Sequence, residues 1–187
     1  MQNSKLRIGI ISAEKSGDYL AASFIESLKS SGRDFELFGI GGKELDKFNI
    51  SRPQDFDREI LNVMGIIDPL KNLRQILRAR KQILDFLISK NISIFIGVDS
   101  PDLNSFFHKN LKKINSTINF QIVSPSVWAW RSGRVRHLRK FVDTTFCLFK
   151  FEHEYLKKNN VNSFHMGHPF QDIEKVEDVS SIKNRYG

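Results

Sequence analysis

The chain has 187 residues, 40% of them hydrophobic and 27% charged, enough for one sizeable core and ordinary for a soluble globular protein. Its net charge of +8, from 29 Lys+Arg against 21 Asp+Glu, points either to phosphate-bearing partners (nucleic acid, anionic lipid or a phosphorylated metabolite) or to a lysine-rich solvated surface. No run approaches the ~18 apolar residues of a membrane span, Met1 to Lys5 leads into a strand without a signal peptide, and the single cysteine, Cys147, excludes an internal disulfide, so a reducing, cytoplasmic setting is expected.

Leu6 to Ser12 is a short apolar run suited to a buried parallel strand. The segment Ala13-Glu14-Lys15-Ser16-Gly17-Asp18 then reads as a tight turn, with a helix from about Tyr19 to Ser30 and Ser16 or Asp18 as its N-cap. Free amides at such a helix start suit an anion or need only the cap, and the segment is neither a dinucleotide fingerprint nor a Walker loop. Phe35 to Ile40 is a second strand ending in the Gly39-Ile40-Gly41-Gly42 turn, and Leu61 to Met64 is a possible third. After Met64-Gly65 and Pro69, a long helix runs to about Ser89, with Leu70, Leu73, Ile76, Leu77, Leu84 and Leu87 on an apolar stripe. Its Arg74, Arg78, Arg80 and Lys81 suit either a solvated face or contact with an anionic membrane.

Ile92 to Val98 has the strongest strand pattern and delivers Asp99-Ser100-Pro101-Asp102-Leu103-Asn104 to its carboxyl end, where a helix of about Leu103 to Ile114 begins. Asp102 can cap that helix. Asp99, at the strand tip ahead of a proline, is placed to face a cleft and accept a proton from a hydroxyl. Ile118 to Val123 is another strand, ended by Pro125 within Ser124-Pro125-Ser126-Val127-Trp128-Ala129-Trp130-Arg131, a loop holding both tryptophans. The basic run Arg131, Arg134, Arg136, His137, Arg139 and Lys140 follows, either a phosphate site or a solvated helix face. Thr144 to Phe149 and Ser163 to Met166 are strands around a helix of Phe151 to Lys158, with Cys147 in the apolar run, and beyond Phe170 the chain turns polar. No zinc-type Cys/His spacing occurs, and no metal is expected.

Strands alternating with helices predict an α/β fold, a doubly wound parallel sheet with right-handed crossovers. The strand tips would bring Glu14 to Asp18, Gly41-Gly42, Met64-Gly65, Asp99 to Asn104 and Ser124 to Arg131 to one edge, where ligands bind in such sheets.

Several of these segments together carry a resemblance. Ser16-Gly17-Asp18, Val63-Met64-Gly65, the Val98 to Asn104 segment, the tryptophan octapeptide and Gly167-His168-Pro169 stand in the order and spacing of lipid-A-disaccharide synthase, covering Leu6 to about Pro169. The resemblance implies the N-terminal, Rossmann-like, acceptor-side domain of a two-domain (GT-B) inverting glycosyltransferase, over residues 1–170. Residues 171–187 would then be a linker or the start of a second, UDP-binding domain. The implied reaction joins 2,3-diacylglucosamine from its UDP donor, β-1,6, to 2,3-diacylglucosamine 1-phosphate. It needs no metal or other cofactor, involves no nucleic acid, and takes place at the cytoplasmic face of the inner membrane.

The same resemblance implies that Asp99 is the general base toward the acceptor 6-hydroxyl. Glu14, Ser16, Gly17, Asp18, Met64, Gly65, Asp102, Asn104 and Ser124 would shape the substrate site. Arg131, with Arg134, would neutralise the acceptor 1-phosphate, and Trp128 and Trp130 would stack on a sugar, line an acyl groove or wedge the loop into the core. Leu103 stands where the family usually has phenylalanine, a swap that volume tolerates. Family enzymes are about twice as long, so this polypeptide alone is expected to need a complementing C-terminal chain for transfer. The alternative is a non-catalytic lipid- or partner-binding module derived from the enzyme.

Overall fold

A computed structural model describes residues 5–54, 56, 73–126 and 132–168. Their elements run β1 (Leu6–Ser12), α1 (Lys15–Ser30), β2 (Phe35–Ile40), α2 (Lys43–Asp46), α3 (Leu73–Ser89), β3 (Ile94–Val98), α4 (Pro101–Ile114), β4 (Ile118–Ile122), α5 (Ser132–Phe141), β5 (Thr144–Cys147), α6 (Lys150–Lys158) and β6 (Ser163–His165). The strands form one six-stranded sheet in the order β2-β1-β3-β4-β5-β6, every adjacent pair parallel. This is the doubly wound, Rossmann-like α/β arrangement expected from the alternation. From β1 the chain first goes outward to β2 and later returns to add β3 on the other side, so the order reverses between β1 and β3. At such a switch point the loops after the two strands part and leave a crevice at the carboxyl edge.

Side chains alternate across each strand, and the two faces of the sheet bury separate clusters. Ile8, Ile10, Ile96, Val98 and Ile122 meet Leu20, Ala21 and Ile25 of α1 on one face. Ile11, Phe38, Ile40 and Phe95 meet Ile83, Leu84 and Leu87 of α3 and Leu103, Phe107 and Leu111 of α4 on the other. A smaller third cluster of Val135, Leu138, Val142, Cys147, Leu156 and Val161 lies under α5 and α6. The Cys147 thiol is buried and unbridged there, and burial pushes its pKa up to about 12, so it stays a thiol. At the amino end of the sheet Asn119, fully buried, donates from its side chain to His108 O at 2.9 Å and to Phe141 O at 2.8 Å. Its amide donates to Asp143, which also pairs with Lys112, and Thr117 donates to its side-chain oxygen.

Three expectations need correction. Helix α1 begins at Lys15, not near Tyr19, because Ser16-Gly17-Asp18 forms its first turn. Its N-cap is Glu14, without a side-chain cap, so neither Ser16 nor Asp18 has that role. On α3 the buried stripe is Ile76, Ala79, Ile83, Leu84 and Leu87, while Leu73 and Leu77 are 50% and 52% exposed beside the exposed Arg74, Arg78 and Lys81. Arg80 is half-buried instead, its guanidinium over the Phe106 ring. Asp102 does not cap α4: Ser100 is the N-cap, Pro101 follows, and Asp102 lies inside the first turn. Among the described residues no helix is long and apolar enough to cross a membrane. The expected strand at Leu61 to Met64 lies outside the described residues.

Candidate functional site at the switch point

Of the sequence-predicted residues, Glu14, Ser16, Gly17 and Asp99 meet at the crevice between β1 and β3. Ser100 Oγ donates to Glu14 Oε1 at 3.0 Å, and Ser16 Oγ makes a long 3.5 Å contact with Asp99 Oδ2, so two pairs of side chains span the gap. Gly17 makes this approach possible: a Cβ there would stand 2.9 Å from Ser12 Oγ and 3.2 Å from Asp99 Cβ. Only a glycine lets the first turn of α1 lie this close to the β3 tip.

The backbone at the tip is strained. Asp99 has φ +52 and Ser100 φ +34, and Val123 at the tip of neighbouring β4 has φ +70. Left-handed conformations are costly for residues with a Cβ, most of all a β-branched one, and persist only where surroundings hold them. Here the hold is visible. Asn104 Nδ2 donates to Asp99 O at 2.8 Å and to Val98 O at 3.3 Å, while Gln121 Nε2 donates to Asp99 O at 3.0 Å, Ile122 O at 3.0 Å and Val123 O at 3.2 Å. Asn104 and Gln121 are both buried. The Asp99 side chain, half-buried, accepts from the Ser100 amide through Oδ1 at 2.9 Å. Among the described residues its Oδ2 meets the long Ser16 contact, which leaves that carboxylate oxygen lone pairs for an incoming hydroxyl.

The predicted residues thus sort into two kinds. Glu14, Ser16, Asp99 and Asp102 reach the surface of the crevice, whereas Asp18, Asn104 and Ser124 are buried and hold the scaffold. Asp18 accepts from Gly42 N at 2.7 Å and Glu44 N at 2.8 Å, so it caps α2 from a distance. Asp18→Ala is expected to cost about 1–2 kcal/mol, read as a lower urea midpoint, with Asp18→Asn recovering part because one acceptor oxygen remains. Ser124 turns its hydroxyl to Pro125 O. Met64, Gly65, Trp128, Trp130 and Arg131 lie outside the described residues. Ser100 and Gln121 were missed by the sequence reading. The proline after Ser100 hinted at special geometry, while Gln121 looked like ordinary alternation in a strand.

The basic run after the tryptophan loop divides in the same way. On α5, Arg136, Arg139 and Lys140 face solvent, while Arg134 and His137 turn inward toward α4. Arg134 Nη2 pairs with Asp102 Oδ2 at 2.7 Å. Below them His108 is fully buried with Nε2 at 3.2 Å from Phe120 O, and burial depresses its pKa from 6.5 to about 3. The folded state therefore refuses a proton that the unfolded chain takes up near 6.5. Stability from this residue is present above 6.5 and falls between 6.5 and 3, by at most about 1.4 kcal/mol per pH unit. Urea midpoints measured across that window should fall less steeply in His108→Gln than in the parent chain. Among the described residues no group of His, Cys, Asp and Glu converges as a metal site.

Comparison with known proteins agrees with this geometry. The family model described as lipid-A-disaccharide synthetase matches residues 8–185. The chain is 37% identical over 176 residues to the lipid-A-disaccharide synthase of Acinetobacter baylyi, covering 92% of this chain and 43% of that protein. It is 40% identical over 175 residues to that of Dechloromonas aromatica (91% and 44%), and 36% identical over 186 residues to that of Saccharophagus degradans (99% and 47%). It spans about half the length of these curated relatives. With the switch-point crevice, the strained Asp99 tip and a family match over nearly its whole length, the chain belongs to the lipid-A-disaccharide synthase family.

Proposed function

We propose that this chain carries the acceptor side of an inverting glycosyl transfer, in which 2,3-diacylglucosamine passes from UDP to 2,3-diacylglucosamine 1-phosphate. The observation that carries the reading is Asp99, held at the switch point by Asn104 and Gln121 with Oδ2 open to the crevice. Asp99 removes the proton of the acceptor 6-hydroxyl as that oxygen attacks the donor's anomeric carbon from the face opposite UDP. The β-1,6 bond forms as the bond to UDP breaks, and the pyrophosphate takes the departing electron pair. Glu14 and Ser16, beside Asp99, position the acceptor hydroxyls.

The donor nucleotide is taken by a second domain or a complementing C-terminal chain, in keeping with the share of the relatives' length that this chain matches. The exposed Leu73 and Leu77, flanked by Arg74, Arg78 and Lys81, suit contact with the anionic surface of an inner membrane from its cytoplasmic side, where lipid substrates are delivered.

The test is a transferase assay with labelled acceptor and the UDP donor, run on this chain alone and on the chain mixed with a separately produced C-terminal half of a relative. Disaccharide is expected in the mixture, and Asp99→Asn is expected to lower its rate by about 10²–10⁴. Full activity of Asp99→Asn would remove Asp99 as the base. Saturable acceptor binding with no product in any mixture would leave a lipid-binding module.

A further inference from the structure

The two faces of the sheet are unequally covered. Helices α3 to α6 pack on the side of Phe95 and Cys147, while among the described residues α1 and the short α2 are the helices on the other. Their Leu20, Ala21, Ile25 and Leu45 meet Ile8, Ile10, Leu37 and Ile96, toward the β1–β2 side of the sheet. Beyond them the register aligns Ile94 with Ile118, Phe120 with Thr144, and Phe146 with Phe164, all on this same face. Ile118 is 49% and Phe164 58% exposed, and Phe120, Thr144 and Phe146 between them are half-buried. The rings form a ladder: Phe146 lies 5.8 Å from Phe120 and 6.2 Å from Phe164, both edge-to-face, with Phe24 of α1 at 5.8 Å on its flank. An exposed row of large apolar side chains marks a contact surface.

The chemistry of the occupant follows from what the face lacks. Of the chain's residues 27% are charged, yet none of these six is. Nucleic acid, a phosphate or an anionic membrane calls for cations at the contact. The exposed Leu73 and Leu77 of α3 have such cations beside them in Arg74, Arg78 and Lys81. The open sheet face suits an apolar protein surface instead. A chain of net charge +8 repels its own copy, and the repulsion is least where the surface carries no charge. An uncharged sheet face is also its own complement: turned about a two-fold axis it meets the same rows of side chains, as sheets do when they stack about 10 Å apart.

We propose that two copies of this chain pair back to back through the β3–β6 part of this face. Four strands make the patch about 14 Å wide, and five-residue strands make it roughly 16 Å long, a few hundred Å² per copy. A standard interface takes about 800 Å² per partner, so this dimer is a weak and reversible one. The pairing does not depend on the transfer reaction, and a transferase assay without product leaves it standing.

Sedimentation equilibrium of the 187-residue chain, from micromolar to millimolar loading, measures it. The mass is expected to rise with concentration from 21.7 kDa toward twice that value. Added salt should raise it further, because screening relieves the like-charge repulsion and spares the apolar contact. Phe164→Asp should keep the parent's circular dichroism and weaken association about tenfold or more, because a carboxylate would be buried in the interface. Ile118→Asp, on another strand of the face, should do the same, and it decides the matter if Phe164→Asp does not fold. Phe151→Asp should dimerise like the parent, since that exposed ring belongs to α6 and stacks on Phe149. A mass of 21.7 kDa at every concentration, a dimer that salt disperses, or a dimer unchanged in both Phe164→Asp and Ile118→Asp would overturn the proposal. It would also fall if the parent stayed monomeric while a relative's C-terminal half bound it but not Phe164→Asp, for that half would then be the occupant.

Discussion

Replacing Gly39 by alanine is expected to abolish the native fold rather than weaken it. Gly39 lies in β2 opposite Ile10 of β1 and has φ +132, a region in which side-chain-bearing residues are rarely found. A Cβ placed there would stand 2.0 Å from the carbonyl oxygen of Ile10 and about 3 Å from its backbone carbon and nitrogen. The obstacle is main chain, not the end of a flexible side chain, and no rotamer change relieves it. Gly39 N also donates to Ser51 O at 2.9 Å on the strand's other side, so an outward shift of the strand must displace that segment too. Strand β1 supports the whole switch point, and separating β2 from it opens one face of the core. The expected cost exceeds about 4 kcal/mol, the range of rare and diagnostic substitutions. That is a large part of the 5–15 kcal/mol or so that holds a domain together. Circular dichroism and urea unfolding decide it: a Gly39→Ala chain that melts cooperatively within a few degrees of the parent would refute the argument.

The second large effect concerns two side chains that share one acceptor. Asn104 and Gln121 reach Asp99 O from different elements, α4 and β4, and together hold two strained strand tips. Removing either leaves the Asp99 carbonyl with the other donor, so Asn104→Ala or Gln121→Ala alone is expected to cost about 1–3 kcal/mol. Removing both leaves a half-buried carbonyl without either donor beside residues at φ +52 and +34. The double variant should therefore lose more than the sum of the singles, by about 1 kcal/mol in a double-mutant cycle. If Asp99 is the base proposed above, the same variants should lower kcat more than they raise KM in the reconstituted transferase, because they would misplace that carboxylate and leave the acceptor's other contacts in place. Strict additivity, or an effect on KM alone, would show that the two amides act independently of Asp99.

The sheet was legible because buried parallel strands are continuous apolar runs bounded by turn residues. Ile94 to Val98, Phe35 to Ile40 and Leu6 to Ser12 are of that type, and all three are strands. The start of α1 was misplaced because Ser, Gly and Asp in succession usually signal a turn. Here the glycine is in the helix for the close approach it permits at Asp99, a contact 82 positions away that no local pattern records. The place of Asp99 at a strand tip was legible, but the division among its polar neighbours was not. Asp18, Asn104 and Ser124 are as polar as Glu14, Ser16 and Asp102, and only their distant partners turn them inward. Likewise Leu73 and Leu77 fit the helical stripe of α3 by spacing, yet the packed face is rotated toward Ala79 and Ile83.

The Asn119 hub at the amino end of the sheet constrains how the molecule can open. One fully buried side chain is bonded to a backbone carbonyl of α4 and to another at the end of α5, and its own backbone belongs to β4. Either helix, on leaving, strips a fully buried amide of one of its acceptors, so the core amides of α4, β4 and the end of α5 should exchange with solvent deuterium in a shared opening. Strand β6, three residues long and at the sheet's edge, should exchange much faster. Helices α4 and α5, which share no strand, are thereby tied to β4 and to each other through one amide.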